Sequence, residues 1–537
     1  MNLKKKYSIS INIITISFVL ILILIASHLR FYKLTKTYSE YDENFMISLH
    51  KGAIENKKVS INLGPINKDI NIKLEILHNL EKSILLPLYV AYGSTYSPGQ
   101  YIILPLILDK NDNYETIVKK NRSIAAFASI LTMISLFFLF YRIEKKISLL
   151  SALTLCIFGF SINSIMYAHH GGVYSTYGLI NIIGLILIYL TIEKKITTYN
   201  AITLNTFLLY FSYLNIFFVL LFFYIEVTRK NFKTFFTSFF LNKKKYLILN
   251  LIIFIPILVT FLLKNEHDYH RGESLPAVEN YFDFFDFFII LMTQLYLSIK
   301  SLFSGFIPYN SNIYFLSVFS LLIILIFNCI FRNKNFKEKT LLIACLIYFF
   351  QWIVLFCFNK IPLDQTRHIL TFFPAILVIF YLSIKSIRIN NIIYLAIILL
   401  ALPFAYSNAK QNIEKNISLY DLKYLEKQDE ELILTYDSLQ PLLFFEKKNK
   451  KVHFTKLEQF KKNYKKLNFP NKFIVVGHHK SFFDKSVETQ FKNDFPEIYN
   501  DYYIEILIEK KTIENYLYNN YQDAVNNGFY VYKFIKK

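Results

Sequence analysis

Two adjacent carboxylates, Asp42 and Glu43, are the residues of this 537-residue chain whose type and spacing best suit acid–base chemistry. They lie in the stretch YSEYDENFMISLHKG (38–52), shortly after a long apolar run. Aromatic and apolar neighbours partly desolvate such a pair, and an ionised carboxylate there can accept the proton of an attacking hydroxyl. Adjacent residues on a helix point about 100° apart. Glu43 is therefore better placed to support Asp42 from behind, or to bind a metal, than to act as a second base. Two solvated loop charges are the alternative interpretation.

Arginine usage gives a second set of candidate residues. The chain has eight Arg against 52 Lys, so a position that carries Arg departs from the usual choice of positive charge. A guanidinium fork binds phosphate bidentately, which an ammonium does not. Arginines on the same face of a membrane as the carboxylates therefore predict that the protein binds an anionic headgroup. For each arginine the alternative is an anchor whose charged end snorkels to the membrane surface. The four arginines that the topology below assigns to that face are Arg30, Arg122, Arg271 and Arg367.

Long apolar runs must position these residues, because 54% of the chain is hydrophobic and 18% is aromatic. About 20 consecutive apolar residues cross a bilayer core of roughly 30 Å. The stretch 199–227 is too long for one untilted span and has the polar centre YFSYLN, so it predicts two crossings. The sequence thus predicts a polytopic α-helical membrane protein of about eleven transmembrane helices. The runs are 7–27, 123–141, 147–168, 172–192, 199–227 (counted twice), 246–263, 311–331, 340–358, 367–384 and 392–407.

Short loops rich in Lys and Arg orient these spans, because such loops stay in the cytoplasm. Their distribution predicts a multi-pass integral protein of the bacterial plasma (inner) membrane, with the N-terminus inside and the C-terminus outside. The outer loop 28–121 has apolar residues at helical spacing over 71–90, which predicts a helix lying in the membrane interface. A soluble partner-binding helix is the alternative for that segment.

The net charge of +21 reflects these topology signals rather than nucleic-acid binding. Residues 408–537 hold 22 Lys and no Arg against 18 Asp and Glu, so this polar part carries only +4 of the total. We therefore expect membrane lipids, and no nucleic acid, among the partners of the chain.

The last 130 residues differ in character from the multi-span domain at 1–407. Short apolar runs such as EELILTYDS, KFIVVGHHKS and YYIEILIEKK alternate with charged stretches of helical character. This pattern predicts a small extracytoplasmic α/β domain at 408–537. Its His478 and His479 follow a predicted strand, where exposed loop residues are a commoner reading than metal ligands.

Several local patterns resemble the GT-C glycosyltransferases, in particular the protein mannosyltransferase and aminoarabinose transferase branch that uses polyprenyl-phosphate sugars. LRFYKL followed by YDEN is similar to the start of the family's first outer loop, whose Asp-Glu pair is catalytic. TYSPGQYIILPLIL is similar to the proline-containing segment before the second span, and KNRSIAAFASIL to the Arg-led entry into it. RHILTFFPAILVI is similar to a late span that begins with an Arg-His or Arg-aromatic pair. The resemblance covers roughly the first 400 residues and implies a GT-C-like fold.

The resemblance implies transfer of a sugar from a polyprenyl-phosphate-linked donor to a hydroxyl of a glycan, lipid or protein acceptor. It implies that Asp42 is the general base or acceptor-orienting carboxylate, with Glu43 as the second catalytic residue. A divalent metal, if present, would be held by Asp42, Glu43 and His170; no other cofactor is predicted. The candidate substrate-binding residues are Arg30, Arg122, His169, His170, Arg271, Arg367 and His368.

One segment departs from the family pattern. Where relatives have an acidic residue and then Arg, this chain reads YAHHGGVYSTY, so that His170 either replaces a carboxylate or marks a changed second site. A transporter or flippase of lipid-linked sugars is an alternative, but it would place ionisable residues at mid-membrane depth, where the apolar runs have almost none. A polysaccharide polymerase or ligase is another, and HDYHRGE (267–273) is a modest match to its expected outer loop.

Overall fold

The computed structural model describes residues 2–37, 43, 47, 100–109, 112–171, 173–229, 246, 248–255, 296, 300, 303, 305–306, 320, 323–331, 335–357, 370–387, 389–415, 417, 419–430, 432–436, 444, 451–455, 470–477, 496–511 and 528–537. The helices are α1 (Asn2–Phe31), α2 (Gln100–Ile107), α3 (Tyr114–Glu144), α4 (Leu149–Phe160), α5 (Ile162–His169), α6 (Tyr174–Ile192), α7 (Thr198–Leu208), α8 (Ile216–Arg229), α9 (Phe336–Cys357), α10 (Phe373–Lys385), α11 (Asn391–Lys415), α12 (Leu419–Glu426) and α13 (Pro496–Asp501). The strands are β1 (Leu432–Tyr436), β2 (Lys451–Thr455), β3 (Lys472–Gly477), β4 (Tyr502–Lys511) and β5 (Gly528–Lys536).

Apolar helices form the N-terminal part of the chain. Among the described residues, three helices are long and apolar enough to cross a membrane, namely α3, α6 and α11. The pair α4 and α5 bends by 48° at a break of one residue, Ser161, and adds a fourth if it forms a single span. By length and composition the chain is therefore a helical integral membrane protein. The total of about eleven spans stays a prediction, and the bend at Ser161 was not foreseen for the run 147–168.

Local sequence explains where several of these helices begin and end. Asn113 caps α3, because its side chain accepts a hydrogen bond from the backbone N–H of Thr116. Ser148 and Ser151 form a reciprocal capping box at the start of α4. Lys145 ends α3 in the left-handed conformation, with its N–H bonded to the carbonyl of Tyr141. These caps fix both ends of α3 and the start of α4.

The stretch 199–227 is divided between α7 and α8, as its polar centre predicted. A turn and the 3₁₀-helix Tyr213–Asn215 join the two helices, and the side-chain amide of Asn205 donates to the carbonyl of Asn215 at 2.8 Å. α7 has 11 residues and α8 has 14, which correspond to about 17 and 21 Å of helix. Each helix is shorter than a bilayer core of roughly 30 Å, and the double crossing stays a prediction.

The C-terminal part contains a five-stranded sheet in the order β2-β1-β3-β5-β4. β1 pairs in parallel with β2 and β3, whereas β5 pairs antiparallel with β3 and β4. The three predicted strand stretches contain β1, β3 and β4. Lys533 of β5 lies 2.6 Å from Glu430, and this hydrogen bond raises the pKa of Lys533. His478 and His479 lie outside the described residues.

The junction between the two parts is a continuous helix. The predicted boundary at 407/408 falls inside α11, which contains Pro403 and runs on to Lys415. Immediately after it, Ile417 forms an isolated antiparallel bridge with Thr37, six residues beyond the end of α1. The chain therefore enters the sheet part at the end of the bundle where α1 ends.

We expect the C-terminal end of the chain to lie outside the cell, on the same side as Glu43. The positive loops orient α1 with its C-terminal end outward, and Ile47 packs in one apolar cluster with residues of the sheet. An epitope tag placed after Lys537 should therefore be cut by protease in intact spheroplasts. A tag that is cut only after the membrane is permeabilised would contradict this topology.

Candidate functional site

A buried ion pair between Glu43 and Arg122 is the centre of the candidate site. The Arg122 Nε donates to Glu43 Oε1 at 2.9 Å, and Nη2 donates to Oε2 at 2.9 Å. The Arg122 side chain is 0% exposed and that of Glu43 is 1% exposed. Such bidentate, charge-assisted contacts are short and directional, so the pair fixes the orientation of both side chains. The two residues are 79 positions apart, so the pair joins the segment after α1 to α3.

The third guanidinium nitrogen of Arg122, Nη1, binds the turn that follows α1. It donates to the carbonyl of Leu34 at 2.7 Å and to the hydroxyl of Thr37 at 2.6 Å. Lys33 adopts a positive φ of 53°, so the chain leaves the helix there and exposes carbonyls without intrahelical partners. Arg122 therefore stabilises the turn and holds Glu43 at the same time.

Asn121 and Gly171 complete the surroundings of Glu43. The side-chain amide of Asn121 donates to Glu43 Oε1 at 3.4 Å, a long contact. Gly171 has φ +57°, and a Cβ atom there would come closer than 3.0 Å to both Glu43 Oε1 and Asn121 Nδ2. The absence of a side chain at Gly171 thus leaves room for these two side chains.

Replacing Gly171 by Ala should destabilise the protein by at least about 1–2 kcal/mol, because an L residue is strained in the left-handed region. The added methyl group must also displace Glu43 or Asn121. Thermal unfolding of the purified protein in detergent measures the effect. Gly178→Ala is the matched control, since a Cβ atom at Gly178 would meet only the Leu370 carbonyl, at 3.7 Å. Equal stability of the two variants would contradict the close packing at Gly171.

Arg30 is fully buried beside this site and binds protein groups with all three nitrogens. Nε donates to the Ser129 hydroxyl at 2.7 Å, and Nη2 donates to the Ser164 hydroxyl at 2.6 Å. Nη1 donates to the carbonyls of Ala26 and Gly159, each at 2.9 Å. The Gly159 carbonyl belongs to the last turn of α4, where the break at Ser161 removes its intrahelical partner. Arg30 therefore caps the broken helix.

His169 and His170 end α5 in a buried position. The Nε2 of His169 lies 2.9 Å from the carbonyl of Leu29, in the last turn of α1. Since a carbonyl only accepts, Nε2 carries the proton in this contact. His170 is 5% exposed and packs edge-on against the ring of Tyr167 at 5.5 Å. Both histidines thus pack at the end of α5, next to Gly171 and close to the end of α1 that carries Arg30.

The described residues do not fit a metal site around Glu43. No group of three or more His, Cys, Asp or Glu among them could hold a metal ion. Both Glu43 oxygens accept hydrogen bonds from Arg122, so a divalent cation bound there would lie against a guanidinium. Asp42, which belongs to the predicted ligand set with Glu43 and His170, lies outside the described residues, so that ligand set stays a prediction.

The structure brings together five of the nine predicted site residues, which are Arg30, Glu43, Arg122, His169 and His170. The other four, Asp42, Arg271, Arg367 and His368, lie outside the described residues. Sequence reasoning missed Asn121 and Thr37, which both contact the ion pair, and the two serines that bind Arg30. Asn121 precedes Arg122 directly, but an Asn near a helix start is so common that its position gave no signal.

Comparisons with known proteins add a structural similarity at low sequence identity. No family model matches the chain. No curated protein matches it. Among solved structures, the chain is similar to the crystal structure of ArnT from Cupriavidus metallidurans bound to undecaprenyl phosphate, at 11% sequence identity and a TM-score of 0.43. The similarity covers 96% of this chain and 98% of that chain. At this identity and TM-score it assigns neither an activity nor a ligand to this chain.

Proposed function

We propose that this protein is a membrane glycosyltransferase that moves a sugar from a polyprenyl-phosphate-linked donor to a hydroxyl acceptor at the outer face of the membrane. The main support is the buried Glu43–Arg122 pair. Burying two charges stabilises a protein less than apolar residues of the same size would, so such a pair is best explained by the geometry that it fixes. Because Glu43 directly follows Asp42, the candidate base, in the sequence, we propose that the pair positions Asp42.

Asp42 acts in this proposal as the general base. Its carboxylate accepts the proton of the acceptor hydroxyl while the hydroxyl oxygen attacks the anomeric carbon of the donor sugar. The bond between the anomeric carbon and the phosphate oxygen breaks, and the polyprenyl phosphate leaves with the electron pair. Glu43 holds this segment in place through Arg122, from which both its oxygens accept hydrogen bonds.

The departing phosphate requires positive charge or hydrogen-bond donors. Arg271 and Arg367, with His368, are the proposed ligands, since the guanidinium fork matches phosphate. Arg30 and Arg122 were candidates from the sequence as well, but their nitrogens already donate to protein oxygens. We assign these two arginines to holding the helices and the loop around the site. His169 and His170 line the same end of the bundle.

A transfer assay with defined donors tests the proposed function. The purified protein, in lipid nanodiscs, is given a panel of synthetic polyprenyl-phosphate sugars together with glycan, lipid and protein acceptors. We expect release of free polyprenyl phosphate that depends on both the protein and an acceptor. Nucleotide sugars should give no product.

The same assay separates a transferase from a flippase. A flippase would move the labelled lipid between the leaflets of proteoliposomes and leave the bond between sugar and phosphate intact. Translocation without release of polyprenyl phosphate, across the whole donor panel, would overturn the proposed function.

A further inference from the structure

An apolar cluster joins the C-terminal sheet to the segment that carries Glu43. We call it the Ile47 cluster, and all its members are at most 8% exposed. Ile47 itself is 0% exposed and follows Glu43 by four residues. The members are Ile47, Tyr114, Ile117 and Val118 of α3, Leu422 and Leu425 of α12, Ile433 of β1, Phe444, Ile474 and Val476 of β3, and Val531 of β5.

The cluster includes a residue close in sequence to each partner of the ion pair, Ile47 near Glu43 and Val118 near Arg122. Val118 precedes Arg122 by four residues, which is one helical turn, so the two lie on the same side of α3. The cluster thus joins the sheet to Ile47, four residues after Glu43, and to the turn of α3 just before Arg122. Because apolar packing is close and resists local rearrangement, this contact restrains both partners of the ion pair.

One face of β3 makes the contact, and the other does not. Side chains alternate between the two faces of a strand, so Ile474 and Val476 share one face and Phe473 and Val475 share the other. Phe473 stacks on Phe534 of β5, with ring centroids 4.7 Å apart, on the face away from Ile47. Val475 is 1% exposed and Val476 is 0% exposed, yet only Val476 belongs to the Ile47 cluster.

Polar contacts add to the same junction. Lys423 of α12 lies 3.1 Å from Glu115 in the first turn of α3, and Lys36, beyond α1, pairs with the same carboxylate. The bridge between Thr37 and Ile417 ties the turn after α1 to the start of the sheet part. Thr37 is the residue whose hydroxyl accepts from Arg122. The sheet part is therefore connected to the ion pair through the loop, through α3 and through this turn.

We propose that the C-terminal α/β domain is a positioning part of the candidate site, acting through the Ile47 cluster on the segment 38–47, which carries Asp42 and Glu43. It restrains the segment by filling the space behind Ile47 and bracing the first turns of α3. The effect on transfer rests on the proposed function, whereas the effect on the segment does not.

Two variants of adjacent residues test this proposal, Val476→Ala and Val475→Ala in the full-length protein. They remove the same two methyl groups from equally buried positions of one strand, so their effects on the domain itself should be similar. Hydrogen–deuterium exchange of backbone amides over residues 38–47 reports the segment. We expect exchange there to be about tenfold faster in Val476→Ala, since two buried methyl groups suffice for such a change in a local opening equilibrium. Val475→Ala should leave it unchanged.

The transfer assay adds a second readout. Val476→Ala should lower kcat by about tenfold with an unchanged KM for the lipid donor, because the segment and not the donor ligands is loosened. In the double variant with Ile47→Ala, the loss should be smaller than the product of the two single losses. Equal exchange over 38–47 in the two valine variants would overturn the positioning role. Faster exchange only in Val476→Ala, in a protein that transfers no sugar, would keep the positioning role and overturn the proposed function.

Discussion

Asp42→Asn should lower sugar transfer at least about 100-fold while leaving expression and binding of the lipid donor near normal. Asparagine keeps the size and the hydrogen bonding of the side chain but has no basicity, and a general base contributes about 100- to 10,000-fold. The expected loss is in kcat, because the acceptor proton has no recipient in the transition state. Release of polyprenyl phosphate in nanodiscs measures the rate, and binding of a labelled donor measures the affinity.

Glu40→Gln is the matched control for this variant. Glu40 is another carboxylate of the same loop, two residues before Asp42, and its change to an amide removes the same charge. Its transfer rate should stay within about threefold of wild type, because no proton transfer is assigned to Glu40. An Asp42→Asn protein that keeps more than a few tenths of the wild-type rate would show that Asp42 is a solvated loop charge. A strong loss in Glu40→Gln would show that loop charge in general is required.

Glu43→Gln should destabilise the folded protein by about 3–5 kcal/mol, because it leaves the buried guanidinium of Arg122 without a counter-charge. The pair is almost inaccessible to solvent, so water cannot compensate for the lost carboxylate. Chemical unfolding in mixed micelles measures the change. Asp112→Asn is the comparison: it breaks the ion pair with Lys120 at the start of the same helix, where the lysine is 31% exposed. That change should cost less than about 1 kcal/mol.

The double variant Glu43→Leu, Arg122→Met separates the stability of the ion pair from its role in positioning. Apolar residues of similar size often replace a buried pair without loss of stability, so the double variant should be more stable than either single variant. Some loss of stability relative to wild type should remain, because the carbonyl of Leu34 and the hydroxyl of Thr37 lose the hydrogen bonds from Arg122. Transfer should stay low in the double variant, since nothing then orients the loop. Additive stability effects, or wild-type transfer, would contradict the assigned role of the pair.

The sequence by itself determined the elements that depend on local pattern. The lengths of the apolar runs predicted α3, α6 and α11, because a helix that crosses a bilayer needs about 20 apolar residues in succession. The polar YFSYLN predicted the break between α7 and α8, and short apolar runs between polar turns predicted β1, β3 and β4. The conspicuous acidic pair likewise directed attention to Glu43. Each of these features is a property of neighbouring residues, so it can be read without knowledge of the fold.

Only the tertiary structure decided what the arginines do. In sequence, Arg30 and Arg122 look the same as arginines that bind phosphate, since the residue type is the same and the partners lie elsewhere in the chain. The partner of Arg122 is 79 residues away, and the Gly159 carbonyl that binds Arg30 is 129 residues away and is left free by a helix break. The contact of the C-terminal sheet with Ile47 and α3 is equally non-local. Such contacts form only when distant elements pack, so local periodicity and composition carry no record of them.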